Sequence, residues 1–149
     1  MFALIISIIA IALVVALAGA TLYYGGDAFT QGSARSTAAA LVNQGQQISG
    51  AWTLYKANNG GAIPAGESAA QLTSLVSGQF LSAVPTSPVG GTWTVTSTTN
   101  AGRTVSTLSL TAPASLTAET CTAVSALPGS GGVFSCAADA GKQTFSYVL

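Results

Sequence analysis

The sequence contains no histidine. That removes the commonest general base, the usual partner of a catalytic serine and the commonest non-sulfur zinc ligand. Charge is nearly as scarce, at 5% of 149 residues against roughly a quarter in soluble proteins. Arg35, Lys56, Arg103 and Lys142 balance Asp27, Glu67, Glu119 and Asp139, for a formal net charge of zero. A chain of this kind has no field to steer phosphate-bearing partners, so nothing in it points to nucleic acid. The carboxylates are scattered, with no pair at helical or hairpin spacing, which leaves a two-carboxylate mechanism without candidates. Gly129-Ser130-Gly131-Gly132 has no lysine behind it and precedes an extended stretch, unlike a phosphate-binding loop, and Ser130 has no base. Lys56 and Lys142 read as solvated surface lysines rather than nucleophiles. There is also no Asn-x-Ser/Thr site for N-glycosylation, although the Ser/Thr-rich strands offer hydroxyls for O-glycosylation. These absences lead us to expect neither an enzyme nor a cofactor or metal.

What is present begins with a long apolar run. Met1–Tyr24 carries no charged side chain and little that is polar: Ser7, Thr21 and the two tyrosines at its end. A lipid-spanning helix needs about 20 apolar residues, each adding about 1.5 Å across a core about 30 Å thick. The run is long enough. Its β-branched Ile5, Ile6, Ile8, Ile9, Ile11, Val14 and Val15 weaken a helix in water, but in lipid the backbone has no other way to satisfy its hydrogen bonds. Tyr23 and Tyr24 fall where an interfacial aromatic belt would lie. No basic residue stands in front of the run, as a signal peptide or an ordinary signal anchor would want. Cleavage of a basic leader before Met1 would account for that.

Gly19, Gly25 and Gly26 soften the helix, each by about 1 kcal/mol relative to alanine. The pattern then changes. Ala34, Ala38, Leu41, Gly45, Ile48, Trp52 and Tyr55 alternate in steps of four and three, a single helical face, while Arg35, Ser36, Asn43, Gln46 and Lys56 take the other side. Asn58-Asn59-Gly60-Gly61 stops it. A loop follows to Gly91, with a short helix that Ser68 is placed to cap and Gly78 to end. From Thr92 the period becomes two: threonines at 92, 94, 96 and 98 alternate with Trp93, Val95 and Ser97, a half-buried strand. Asn100-Ala101-Gly102 turns it back into Arg103–Thr111, and 133–137 and 143–149 are further strand candidates.

The expected fold is therefore α+β, one small domain with an attached segment. Residues 1–26 form a hydrophobic N-terminal helix and 27–149 a globular head, with an amphipathic helix over 33–58, a loop over 59–91 and a small antiparallel sheet within 92–149. Cys121 and Cys136 are the only cysteines, a poor zinc site without histidine. In an exported domain they read as a disulfide closing a loop of Gly, Ser and Pro; two buried free thiols are the alternative.

The apolar run with "RSTAAALVNQGQQISGAWTLYKANNGG" and "LTSLVSGQFLSAVPTSPVGGTWTV" resembles the spine helix of a type IV pilin followed by its loop and first strand. The resemblance implies a precursor whose short basic leader is removed by a peptidase that also N-methylates the new first residue, here Met1. It implies a filament core packed through Phe2, Leu4, Ile5, Ile8, Ile9, Ile11, Leu13, Val14 and Leu17, with Gly19, Gly25 and Gly26 letting the helix extend or melt. Partners would be other copies in a helical homopolymer, the inner membrane before assembly and the pilus assembly machinery, with the product an extracellular filament on the bacterial surface. One position departs from the pattern. Most members carry glutamate as the fifth mature residue, thought to pair with a neighbour's N-terminal amine, whereas this chain has Ile5. Either another group would then receive the amine or it would be left to a backbone carbonyl or Ser7, because an unpaired buried ammonium costs several kcal/mol or loses its proton. Adhesion, motility, DNA uptake, conjugation and phage reception all use this scaffold, and no loop here names an external ligand. The competing readings are a minor pilin or secretion-system pseudopilin, an archaeal pilus subunit and a single-span anchored binding module.

Overall fold

The computed structural model describes residues 2–111, 113, 115–139 and 142–149. Its elements, in chain order, are α1 (Phe2–Asn58), α2 (Ala69–Ser77), β1 (Thr92–Asn100), β2 (Arg103–Thr111), α3 (Ala118–Ser125), β3 (Phe134–Asp139) and β4 (Lys142–Val148). This is the α+β architecture the sequence predicts. Two compact units divide the chain, Met1–Ser33 and Ala34–Leu149. The division falls where burial begins, since Ala34 is the first buried residue of α1.

Within the second unit, the residues predicted to share a helical face do so. Ala34, Ala38, Leu41, Gly45, Ile48 and Trp52 are buried, joined by Val42 and Ala51, and Tyr55 is half-buried with its ring edge-on to Phe80. Arg35, Ser36, Asn43 and Gln46 are exposed, and Lys56 is half-buried. Gly45 is the point of closest approach. A Cβ placed there would lie 2.5 Å from a ring carbon of Tyr147, so only glycine lets β4 sit this near the helix. The helix ends in a glycine stop: Gly60 is left-handed at φ 63°, and the Gly61 N–H donates to the Lys56 carbonyl at 2.7 Å.

Among the described residues, four strands form one antiparallel sheet in the order β1-β2-β4-β3. The β1–β2 hairpin turns through Ala101 and Gly102, both at positive φ, as a two-residue hairpin turn matching strand twist requires. Its period-two pattern sorts Trp93 and Val95 into the core and leaves Thr92, Thr96 and Thr98 exposed. Leu108 and Leu110 follow them from β2, and Phe145 and Tyr147 from β4. Trp93 meets Phe145 edge to face at 6.0 Å, and Phe134 stacks on Phe145 and Tyr147. The opposite face is hydroxylated, with Thr94 bonded to Thr111 at 2.8 Å and Ser135 to Ser146 at 2.8 Å.

Two local expectations need correction. Ser68 does occupy the N-cap position of α2, but its φ of 54° and ψ of −116° leave the hydroxyl without a capping bond. The region 92–149, expected as sheet, also contains α3. Thr117 starts that helix by accepting a hydrogen bond from the Thr120 N–H at 3.2 Å. Cys121 on α3 is bonded to Cys136 on β3, with Cα atoms 5.3 Å apart, inside the usual disulfide span. The structure thus carries the disulfide and not free thiols. With a sequence separation of 15, the chain-entropy model assigns the cross-link about 3 kcal/mol.

Candidate functional site

The first unit is where chain and environment fail to match. Phe2, Leu4, Ile5, Ile8, Ile9, Ile11, Leu13, Val14 and Leu17 all lie on α1 with more than half of their surface exposed. At 3.6 residues per turn these positions fall on every side of the helix, so they form a cylinder rather than a stripe. A helix that is apolar all round normally sits inside a protein or a bilayer. Here none of the most apolar window of α1 is buried by the rest of the chain, and the helix is long and apolar enough to cross a membrane. Covering the nine side chains would be worth roughly 14–27 kcal/mol, taking about 1.5–3 kcal/mol for each.

The few side-chain hydroxyls in this cylinder donate their protons within the helix. Ser7 Oγ donates to the Leu4 carbonyl and Thr21 Oγ1 to the Ala18 carbonyl, each at 2.9 Å. Both bonds reach back three residues along the same helix, so neither hydroxyl needs an outside partner for its proton. The surface from Phe2 to Leu22 is therefore effectively hydrocarbon. Tyr23 and Tyr24 close it with rings edge to face at 5.5 Å. Polar side chains return only beyond them, where Thr30 bonds the Gly26 and Asp27 carbonyls and Ser33 the Thr30 carbonyl.

Gly19, Gly25 and Gly26 all lie within helical backbone, so their effect is a loss of helix stability without a break. A Cβ at any of the three would meet nothing within 4 Å. Their lack of a side chain thus serves no close approach inside this chain, unlike that of Gly45. Ile5, which would stand at the fifth position of such a helix, is an exposed apolar residue. Ser7 keeps its lone pairs free to accept a bond, its proton being held by Leu4. Met1, the expected processed and methylated terminus, lies outside the described residues.

The remaining motifs resolve into structural parts. Gly129–Gly132 is a turn held under Phe134, with the Gly131 N–H donating to the Phe134 carbonyl at 2.8 Å. Lys56 occupies the last turn of α1, where a cation offsets the negative end of the helix dipole. Glu119, in the first turn of α3, has its carboxyl held below the usual range by its own backbone N–H and then by the Thr117 hydroxyl, against a small opposing effect of desolvation. Among the described residues no cluster of three or more His, Cys, Asp or Glu is placed to hold a metal ion. Periodicity passed over two features: the internal bonding of Ser7 and Thr21, and the burial of Gln71, a polar residue in an otherwise ordinary short helix. The three-residue spacing of a serine or threonine after a helical carbonyl could have signalled the first.

No protein-family model, curated protein or solved structure matches this chain.

Proposed function

We propose that this protein is the structural subunit of an extracellular filament of the type IV pilus kind, polymerising through residues 2–26 of α1. One observation carries the reading: an all-round hydrocarbon cylinder, its hydroxyls donating within the helix, that the chain itself leaves uncovered. Lipid is the cover before assembly and other copies are the cover afterwards. The same apolar surface suits both, because the hydroxyls along it donate within the helix and add little desolvation cost to the transfer. The glycines at 19, 25 and 26, which no contact within the chain requires, would let the helix extend as copies pack. The head, 34–149, would form the filament's outside, and its low charge keeps repulsion between many identical copies small. The product is a polymer, and no step of catalysis belongs to the proposal. Processing and N-methylation at Met1 by the assembly machinery, and an inner-membrane pool of subunits, are part of the same reading.

The length of the apolar helix equally suits a single-span anchor for a head that never polymerises. Electron microscopy of material sheared from cells expressing the protein separates the two. Long uniform fibres containing this chain are the expected result. Recovery of the chain only from membranes, with no fibre, would reject the filament and favour the anchored module.

A further inference from the structure

The head contains a cleft of about 390 Å³ between the start of α2 and β1, lined by Glu67, Ser68, Gln71, Val95, Thr96 and Ser97. Its volume lies within the range of about 300–1,000 Å³ that small-molecule sites occupy. Gln71 is the unusual member. Only 5% of it is exposed, and its Oε1 is buried without a hydrogen-bond partner. A buried amide oxygen left unpaired costs about 1–3 kcal/mol, so native proteins usually complete such a group. Beside it, the first turn of α2 has no side-chain cap, because Ser68 turns away at φ 54°, and its N–H groups are not closed off by the hydroxyl expected there.

The chemistry of the wall narrows the ligand. No cation lines the cleft, and its one charge is the Glu67 carboxylate, so an anion is disfavoured. A single carboxylate is too few for a divalent ion, which takes six or more oxygens with several from charged groups. No aromatic ring lines it to stack on a flat apolar ligand. What remains is a set of neutral donors and acceptors around one carboxylate, with a planar amide beside it. Neighbouring hydroxyls on a sugar ring fit that set, each both giving and receiving a bond: the carboxylate accepts, while the amide accepts at one atom and donates at the other. We propose that the α2–β1 cleft binds a neutral saccharide unit, Glu67 and Gln71 taking a pair of adjacent ring hydroxyls. The inference does not rest on the filament reading.

The test is a nuclear magnetic resonance titration of the full chain in zwitterionic micelles, whose headgroups contain no sugar. The probes are the methyl glycosides of glucose, galactose, mannose and N-acetylglucosamine, with ethanolamine as an amine control. At least one glycoside should shift the backbone signals of 66–71 and 95–97 saturably, and Gln71→Met should weaken that binding about tenfold, the equivalent of one hydrogen-bonded pair. Glu67→Gln, at an exposed side chain, should weaken it comparably and keeps the test decisive if Gln71→Met does not fold. Silence from all four glycosides would overturn the proposal. So would a response to ethanolamine alone, which would make the cleft a cation site, or glycoside shifts that neither variant alters.

Discussion

The two halves of α1 are one helix by backbone and two by surface. From Ala34 onward the apolar residues keep to one stripe, and that stripe is buried against the sheet. From Phe2 to Leu22 they encircle the helix, and all the large ones are exposed. Backbone hydrogen bonding is the same in both, so the difference lies wholly in what covers the side chains. A stripe can be buried by one sheet from the same chain. A cylinder needs cover on every side, which no single face of a head can supply. The pattern of apolar residues, more than their number, thus separates the part of the helix that folds with its own chain from the part that needs a different solvent.

The largest effect should come from putting a charge in the cylinder. Lysine at mid-helix disfavours burial in lipid by about 2.5–3.5 kcal/mol per chain, and a filament would repeat that cost at every subunit. Val14→Lys should abolish fibres on electron micrographs while the head keeps its near-ultraviolet circular dichroism. Matched leucine truncations probe the comparison more finely. Leu41 is 0% exposed and Leu17 70%. Leu41→Ala should therefore destabilise the head by about 2–5 kcal/mol in a denaturant melt, and Leu17→Ala should leave that melt unchanged within about 0.5 kcal/mol. Equal effects would erase the distinction between the halves.

Smaller effects lie within the head. Reducing Cys121–Cys136, or replacing both with serine, should lower its stability by about 3 kcal/mol, read as a fall in melting temperature. Gly45→Ala would normally strengthen a helix, but here the new methyl meets the Tyr147 ring. A net loss of about 1–3 kcal/mol is expected from overpacking, whereas the same change at Gly25, where nothing is near, should not destabilise the head. The least effect concerns acid. Because the folded Glu119 carboxyl titrates below its ordinary value, its contribution is present above the unfolded pKa and is lost as pH falls through the folded one. Glu119→Gln should remove that contribution, so stability above about pH 4.5 falls slightly and its decline toward lower pH is flattened.

Much of this fold is legible because its elements carry long, regular patterns. The buried stripe from Ala34 to Trp52 repeats often enough to fix a face, and Thr92–Thr98 alternates cleanly enough to fix a strand. The features that escaped are short or built from distant parts. Helix α3 has eight residues and buries only Thr120, Cys121 and Val124, too few for a period to declare itself. Ser68 has the right chemistry for a cap, but the turn from Gly66, at φ 100°, brings it in with the wrong backbone angles. The α2–β1 cleft exists only once those two elements meet, so no local pattern marks Gln71 as buried. For the candidate assembly surface the situation is reversed: its extent is plain in the composition of Phe2–Leu22, while the silence of Ser7 and Thr21 emerges from their hydrogen bonds.

In the proposed filament, copies of this chain cover one another's apolar cylinder. The most direct measurement is photo-crosslinking in living cells from a benzophenone amino acid placed at Ile9, followed by mass spectrometry of the joined peptides. Such a filament should give a ladder of dimers and higher multimers in which residue 9 is joined to the 2–26 segment of another copy. Cross-links only to lipid, or only to a different protein, would contradict it.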